Sequence, residues 1–369
     1  MPVVDVETIP VEVGVSALED GGIAPYRGNQ TAVERVTRLL IRITTDDGIE
    51  GWGEVRPTLA IESAAQIIER DIAPHVVDRP VWEIEAFLSQ FEFEYLHLRS
   101  FVAGVEMALW DALGRQLEVP VHRLLGGKCT DAIPVAAPLG ILPPEESRRY
   151  ARRALESGYE VLKTKAGRDW QTDVDRVIAM HDEVDGALEF RVDPNQGWTV
   201  EEAVRVMARL EDRGIYLQYA EQPIRIDSIG SLGRLRSRVK TPIAVNEDTY
   251  VPRNLFQLIK ADAIDVAVVD LVPAGGILEL KRLVGVASEA GLSLAHHDGF
   301  DLGIKKAAVA HAVASSPAIN LATDTVYPAW EDHIIDPPLT VTDGHLTVPD
   351  GPGLGISVDV EKLESLRID

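Results

Sequence analysis

Polar side chains recur in the second half of this 369-residue chain, each at the end of a short apolar run of β-prone residues. From Lys165 onward they lie 28, 28, 26, 23, 27 and 27 residues apart. One strand, one helix and two loops take up about this length, so each step predicts one βα unit. The strand C-termini of a parallel barrel share one mouth, where these side chains would meet. In order they are Lys163 with Lys165, Asp193, Glu221, Glu247, Asp270, His297 and Asp324.

Three of these residues, Asp193, Glu221 and Glu247, offer the oxygen ligands that hard cations such as Mg²⁺ prefer. One such acid alone is more often a loop residue or a helix cap. Three at matched strand ends would repel each other strongly without a cation, so the set predicts a metal site. The third ligand stays open, because Asn246 and Asp248 flank Glu247 and are also capable donors.

Two lysines and a histidine add groups that can move protons. Lys163 and Lys165 flank one residue, so strand alternation places both on the same face, here the barrel interior. An inward lysine is either paired with a carboxylate or functional, and near a dication it can act as a base. Asp270 and His297, on neighbouring strands, could form a pair in which the carboxylate fixes the imidazole tautomer.

Two positions in this group are ambiguous. His296 precedes His297, and alternation allows only one of them to point inward. Asp324 is either a hydrogen-bond partner in the site or a simple cap.

The elements that must position these residues form a regular alternation from about residue 130. Amphipathic helices of 10–15 residues separate most of the candidate strands, and Thr199 is a candidate N-cap for one of them. The pattern predicts an α/β protein with a modified TIM barrel; a doubly wound open sheet would not bring so many strand ends together. The candidate strands are 133–137, 160–164, 188–192, 215–220, 242–246, 264–269, 292–296 and 318–322.

The flanking segments differ from the barrel pattern. Residues 1–127 predict an α+β capping domain, with a hairpin that turns at Asp46-Asp47-Gly48 and a buried helix at about 101–117. The barrel domain is assigned to 128–334. Residues 335–369 predict a tail with a hairpin near Asp343-Gly344 that packs back on the capping domain.

Composition excludes several classes of function. The net charge is −23 and no basic stripe is present, so nucleic-acid binding is not expected. No apolar run is long enough for a membrane span, and the first residues lack a signal-peptide core, which predicts a cytoplasmic protein. The single cysteine, Cys129, excludes an internal disulfide. An acidic surface does not attract an anionic substrate, so a local cation must do so.

These residues resemble the enolase superfamily, within the mandelate racemase and muconate lactonizing enzyme group. The resemblance spans essentially the whole chain and implies an N-terminal capping domain, a (β/α)7β barrel and Mg²⁺ as cofactor. It also implies a small-molecule carboxylate substrate and a homo-oligomer, between dimer and octamer. Further motifs that carry it are Gly51-Trp52-Gly53-Glu54, Ala108-Leu109-Trp110-Asp111, Leu124-Leu125-Gly126-Gly127, Gly275-Gly276-Ile277 and Pro352-Gly353-Leu354-Gly355.

The resemblance carries subgroup features of two kinds. Asp270 with His297 resembles the mandelate racemase dyad, where muconate cycloisomerase-like members carry a lysine in place of Asp270. The stretch from His297 to Asp301 resembles glucarate dehydratase, whose third ligand is an asparagine, as Asn246 would be here.

Loss of an α-proton to give a metal-stabilised enediolate is the chemistry that the resemblance implies. It favours dehydration of an acid sugar to a 2-keto-3-deoxy acid, with Lys163 neutralising a carboxylate oxygen and Lys165 or His297 as the base. A racemase or epimerase of an α-hydroxy or amino acid is the alternative, and a non-catalytic binding protein of the same fold is the second. Candidate substrate contacts are Asn195, Tyr26 and Arg27.

Overall fold

The strands and helices of the chain are taken from a computed structural model that describes residues 2–91 and 98–368. The strands are β1 (Val3–Gly14), β2 (Tyr26–Arg27), β3 (Ala32–Val33), β4 (Arg35–Thr45), β5 (Glu50–Val55), β6 (Ala132–Leu139), β7 (Val161–Lys165), β8 (Glu189–Asp193), β9 (Tyr219–Glu221), β10 (Ile243–Val245), β11 (Val266–Val269), β12 (Ser293–His296), β13 (Thr323–Asp324), β14 (Val341–Thr342) and β15 (His345–Thr347). The α-helices are α1 (Ile61–Ile67), α2 (Ile84–Leu88), α3 (Arg99–Gln116), α4 (Val121–Leu124), α5 (Pro144–Glu156), α6 (Trp170–Glu183), α7 (Val200–Glu211), α8 (Ile229–Arg236), α9 (Pro252–Lys260), α10 (Leu271–Ala274), α11 (Ile277–Glu289), α12 (Gly303–Ala314) and α13 (Val360–Leu366). Among these described residues, no helix is both long and apolar enough to cross a bilayer.

The capping domain is built on a three-stranded antiparallel sheet in the order β1-β4-β5, with the predicted turn at Asp46-Asp47-Gly48 between β4 and β5. Helix α3 packs directly on β5 because that strand carries glycines at the points of contact. A Cβ atom at Gly53 would lie 1.9 Å from the carbonyl oxygen of Gly104, and one at Gly51 would lie 2.2 Å from that of Ala108. Any other residue there would push the helix off the sheet.

The barrel domain confirms the predicted architecture. Strands β6 to β12 are parallel and neighbour each other in chain order, and β13 pairs with β6. The N–H of Leu321, just before β13, donates to the carbonyl of Leu294 on β12, so the sheet curves back on itself. Helices α5 to α9, α11 and α12 connect the eight strands, which gives the (β/α)7β arrangement. Thr199 is the N-cap of α7, in a capping box with Glu202.

Each strand predicted for the barrel has a counterpart, and the eighth differs most. It was predicted at 318–322, but the ladder is formed by β13 at Thr323–Asp324. The earlier residues are held differently, since the side-chain oxygen of Asn320 accepts the N–H of Leu294 in place of a backbone carbonyl. A side-chain bond of this kind is not visible in a hydrophobic pattern.

The C-terminal tail contacts both parts of the molecule. The hairpin β14–β15 turns at Asp343-Gly344, where both residues have positive φ as a type I′ turn requires. Strand β15 pairs antiparallel with the start of β6, and the N–H of Ile368 donates to the carbonyl of Pro10 in the capping sheet. The division into 1–127, 128–334 and 335–369 stays a prediction.

Two buried carboxylates of the capping domain cap helices of the barrel. Glu54, at the end of β5, accepts the N–H groups of Leu302 (2.7 Å) and Lys305 (2.9 Å) at the start of α12. Glu106, on α3, accepts those of Ile277 and Leu278 at the start of α11. Burial raises the pKa of each glutamate to about 7, which measures the cost of placing it there. Helix N-termini favour negative charge and offset part of that cost.

We expect Glu54→Ala to lower the free energy of unfolding by about 2–4 kcal/mol, because two buried N–H groups lose their acceptor. Chemical denaturation measures the loss. The matched control is Glu50→Ala on the same strand, where a partly exposed ion pair with Arg42 is removed. That change should cost under about 1 kcal/mol. Equal losses in the two variants would contradict the capping role.

Candidate active site

A cavity of about 900 Å³ opens where the C-terminal ends of the barrel strands face the capping domain. Predicted site residues in its lining are Tyr26, Lys163, Lys165, Asn195, Glu247, His297 and Asp324. The other three, Asp193, Glu221 and Asp270, are buried and bonded to lining residues. The structure therefore brings together ten of the eleven residues predicted for the site.

Lys163 is the charge that the buried carboxylates share. Its ammonium lies 2.6 Å from Asp324, 2.7 Å from Glu221 and 3.4 Å from Asp193. Burial alone would lower the pKa of Lys163, but these carboxylates outweigh burial and raise it well above its ordinary value. Burial raises the pKa of Glu221 to about 7 despite Lys163. Lys163 is therefore a fixed positive charge in this arrangement.

Lys165 points into the same cavity and is held by two oxygen acceptors. Its Nζ donates to Asp193 Oδ2 at 2.6 Å and to Asn195 Oδ1 at 2.8 Å. Asn195 has a positive φ of 43° and also donates its side-chain amide to Glu247. The residue thus links the terminal nitrogen of Lys165 to the third carboxylate.

Asp270 and His297 form the predicted pair, with Asp270 Oδ2 3.0 Å from His297 Nδ1. Burial alone would lower the pKa of His297, but the hydrogen bond to Asp270 outweighs it and holds that pKa above its ordinary value. The ring of His296 points away from the cavity, and its Nε2 accepts the N–H of Leu271. The alternation of β12 thus leaves His297 for the site.

The three acceptors after β10 differ in how they are used. Asn246 donates to the carbonyl of Val268 and accepts from Tyr250, and Asp248 accepts from Gln222 and from the N–H of Asp227. Glu247 lines the cavity, and its buried Oε2 has no hydrogen-bond partner in the described part of the chain. A buried carboxylate oxygen left unpaired indicates a missing positive ligand, so we expect Glu247 to be the third metal donor.

The donor set fits a hard cation by its chemistry, with three buried or cavity-facing carboxylates, of which Glu247 keeps an oxygen with neither a hydrogen bond nor an ion pair in the described part of the chain. Over residues 2–91 and 98–368, however, no three acidic, histidine or cysteine side chains form a ready-made metal cage. The reason is that Lys163 and Lys165 hold Asp193 and Glu221. Asp193, Glu221 and Glu247 are the carboxylates that would hold the ion.

One predicted residue does not reach the site. Arg27 follows Tyr26 on β2, and alternation turns Tyr26 into the cavity and leaves Arg27 exposed. The role of Arg27 in gripping substrate stays a prediction that this arrangement does not favour, because the two neighbours face opposite sides of a strand.

Other functional candidates escaped the sequence reasoning. Arg191 is fully buried and pairs with Asp324 at 3.2 Å. It lies two residues before Asp193 on β8, so period-two alternation could have found it. Arg56 and Arg225 line the cavity from the loops after β5 and β9. Loops have no strand or helix periodicity from which the direction of these side chains could be predicted.

Comparison with known proteins agrees with this geometry. Residues 12–126 match the model of the mandelate racemase / muconate lactonizing enzyme N-terminal domain, and residues 146–363 match the enolase C-terminal domain-like model. The chain belongs to the mandelate racemase and muconate lactonizing enzyme group of the enolase superfamily. Enzymes of this group are generally Mg²⁺-dependent.

Relatives in this group act on different substrates. The L-Ala-D/L-Glu epimerase of Bacillus subtilis is 27% identical, over 96% of this chain and 97% of that protein. The N-succinyl-L-Arg/Lys racemase of Bacillus cereus is 26% identical, over 89% and 90%. The structure of muconate lactonizing enzyme from Pseudomonas fluorescens, complexed with muconolactone, superimposes with a TM-score of 0.91 at 28% identity, over 100% and 99%. The chain is thus similar throughout to racemases, epimerases and cycloisomerases.

We expect Glu247→Gln to weaken Mg²⁺ binding by roughly tenfold or more, because a neutral amide replaces an anionic donor. Isothermal titration calorimetry with Mg²⁺ alone measures the change. The matched control is Asp248→Asn, since Asp248 is buried beside Glu247 but already satisfied by Gln222 and Asp227. Loss of binding in the control, with Glu247→Gln unaffected, would contradict the assignment.

Proposed function

We propose that this chain is a racemase or epimerase in which one of two bases, Lys165 or His297, removes the α-proton of a carboxylate substrate and the other delivers a proton to the opposite face. The observation that carries the proposal is their placement. Both line one cavity, Lys165 from the end of β7 and His297 from the end of β12, three strands apart around the β7-β6-β13-β12 side of the barrel. Two bases on different walls suit removal of a proton by one base from one face of a carbon and delivery of a different proton by the other base to the opposite face.

Each base has the neighbours that its role needs. Asp193 and Asn195 hold the Lys165 nitrogen by two hydrogen bonds, and Asp270 holds the imidazole by Nδ1, so that Nε2 is left for the substrate. The deprotonated amine of Lys165 accepts the α-proton of one enantiomer, and the imidazolium of His297 delivers a proton to the opposite face. In the reverse direction the two groups exchange roles.

The negative charge that forms on the substrate carboxylate needs fixed positive charge. Lys163 supplies it, because its carboxylate partners keep it protonated. Asp193, Glu221 and Glu247 are the residues that would hold Mg²⁺, which, when bound, stabilises the enediolate as a Lewis acid. Arg191 and Lys163 both form ion pairs with Asp324 at the end of β13 and so hold its carboxylate in place.

Dehydration of an acid sugar is the second candidate. The observation that favours it is the hydrogen bond from His297 to Asp270. This bond raises the pKa of the His297 imidazole and so favours its protonated form. An imidazolium can protonate a departing β-hydroxyl after Lys165 has removed the α-proton. The product would be a 2-keto-3-deoxy acid, and its appearance distinguishes the two reactions.

The two-base proposal is tested by exchange in D₂O with Mg²⁺, read by NMR on both enantiomers of N-acyl amino acids, dipeptides and acid sugars. We expect wild type to incorporate deuterium with inversion. In Lys165→Ala the rate of inversion should fall by roughly 10³-fold, and exchange should remain only for the enantiomer whose α-proton faces His297. In His297→Asn exchange should remain only for the other enantiomer. Undiminished inversion in either variant would contradict the proposal. A keto acid product would move the assignment to dehydratase.

The cavity also indicates a substrate with a second anionic group. Arg56 comes from the capping domain and Arg225 from the barrel, and within the described residues neither side chain has a hydrogen bond or an ion pair. In a chain of net charge −23, two unpaired arginines at one cavity provide the local cation that an anionic substrate needs. Guanidinium groups recognise carboxylates with two parallel hydrogen bonds. An N-succinyl amino acid, the substrate type named for the Bacillus cereus relative, carries such a group.

We expect N-succinylglycine to bind more tightly than N-acetylglycine in wild type, and the difference to disappear in the Arg56→Gln, Arg225→Gln double variant. Calorimetry on the achiral ligands makes the test independent of turnover. Arg35→Gln is the matched control, because Arg35 also lines the cavity but is paired with Glu12 at 2.7 Å. A preference that survives in the double variant would contradict the role of the two arginines.

A further inference from the structure

A buried lysine outside the cavity lining contacts the acid that supports His297. Lys305 lies in the first turn of α12 and is only 5% exposed. Its Nζ lies 2.9 Å from Asp270 Oδ1 and 2.7 Å from Asp301 Oδ1. None of the chemistry described above uses it, yet burial of an ammonium is costly unless it serves its partners.

The contacts of Asp270 are divided between its two oxygens. Oδ1 faces Lys305 and accepts the N–H of Val272 at 3.1 Å. Oδ2 is therefore left to His297 Nδ1. Because Lys305 and the N–H of Val272 both hold Oδ1, the carboxylate of Asp270 cannot rotate. Its Oδ2 therefore holds the imidazole of His297 in one orientation. Burial alone would raise the pKa of Asp270, but Lys305 and His297 outweigh it and hold that pKa well below its ordinary value.

We infer that Lys305 is a positioning residue that orients Asp270 and thereby limits the basicity of His297. The inference rests on the proposed function where it concerns proton transfer. The charges behind the histidine are the carboxylates of Asp270, Asp298 and Asp301 and the ammonium groups of Lys305 and Lys306. Three negative and two positive charges leave one negative charge, which the imidazolium of His297 neutralises.

This balance gives opposite effects for two substitutions. Removing Lys305 leaves two net negative charges behind the imidazole, which then holds its proton more tightly. Removing the charge of Asp301 leaves the group without net charge, so the imidazole releases its proton more easily. The other titratable groups facing this region are Arg38 and Glu54 beside Asp301, His296 and Tyr250 near Asp270, and Lys163, Glu221 and Asp324 across the cavity; both substitutions leave these groups in place.

The first readout is independent of turnover. We expect ¹⁵N NMR titration of the His297 imidazole, assigned by its absence in His297→Asn, to give a pKa raised by roughly one unit in Lys305→Met and lowered by a similar amount in Asp301→Asn. Lys305→Arg should stay near wild type, because it keeps the charge. Lys281→Met, which removes a half-buried lysine on α11 that donates to Ser315, is the control. A pKa of His297 unchanged in both Lys305→Met and Asp301→Asn would overturn the inference.

The second readout is the face selectivity of deuterium exchange. We expect Lys305→Met to slow exchange on the His297 face by roughly tenfold and to leave the Lys165 face near wild type, with Lys305→Arg restoring the first. An equal loss on both faces would mean a merely structural lysine and would overturn the inference. If wild type exchanges neither face, the two-base proposal fails, and the NMR titration still decides the role of Lys305. Asp301→Asn keeps the test decisive if Lys305→Met does not fold.

Discussion

Burial of several like charges at one barrel mouth is the constraint on which this structure depends. Lys163 lies within 3.4 Å of Asp193, Glu221 and Asp324 and is the positive charge common to all three, while Lys165 and Arg191 add a second cation to Asp193 and to Asp324. Burial nevertheless raises the pKa of Glu221 to about 7, in the direction expected when the nearby positive charge does not fully offset burial. The same shortage explains the orphaned oxygen of Glu247. The mouth is therefore built around a positive charge that the protein supplies only in part.

The capping domain completes this mouth as well as covering it. Arg38 donates to the carbonyls of Gly299 and Phe300 at 2.6 Å, and Glu54 caps the helix that begins a few residues later. Residues 298–301 follow His297 directly and lie at these contacts. They include Asp301, which contacts Lys305, and Asp298, which contacts Lys306. A displacement of the capping sheet would thus move the histidine's supports, which couples substrate enclosure to the geometry of one base.

Much of the fold followed from periodicity, and much of the site from strand ends. The apolar runs and the helices between them predicted seven of the eight barrel strands at overlapping positions and the eighth a few residues too early, and alternation placed Lys163 and Lys165 together in the cavity. The same alternation turns Arg27 outward beside Tyr26, so the structure does not place its side chain in the cavity. The third metal donor could not be chosen from sequence, since only packing shows that Asn246 and Asp248 are already satisfied. Nothing in the sequence singled out Lys305, because burial of its helix face is a tertiary property.

The central claim is that Asp193 and Glu221, which contact lysines in this structure, form a metal site between two bases together with Glu247. A crystal structure of the protein grown with Mg²⁺ and a bound carboxylate ligand tests it most directly. The account predicts one ion with an oxygen of Asp193, Glu221 and Glu247 at about 2.0–2.1 Å, and the ligand α-carbon between Lys165 and His297. An ion bound elsewhere, with Asp193 and Glu221 still on Lys163, would contradict it.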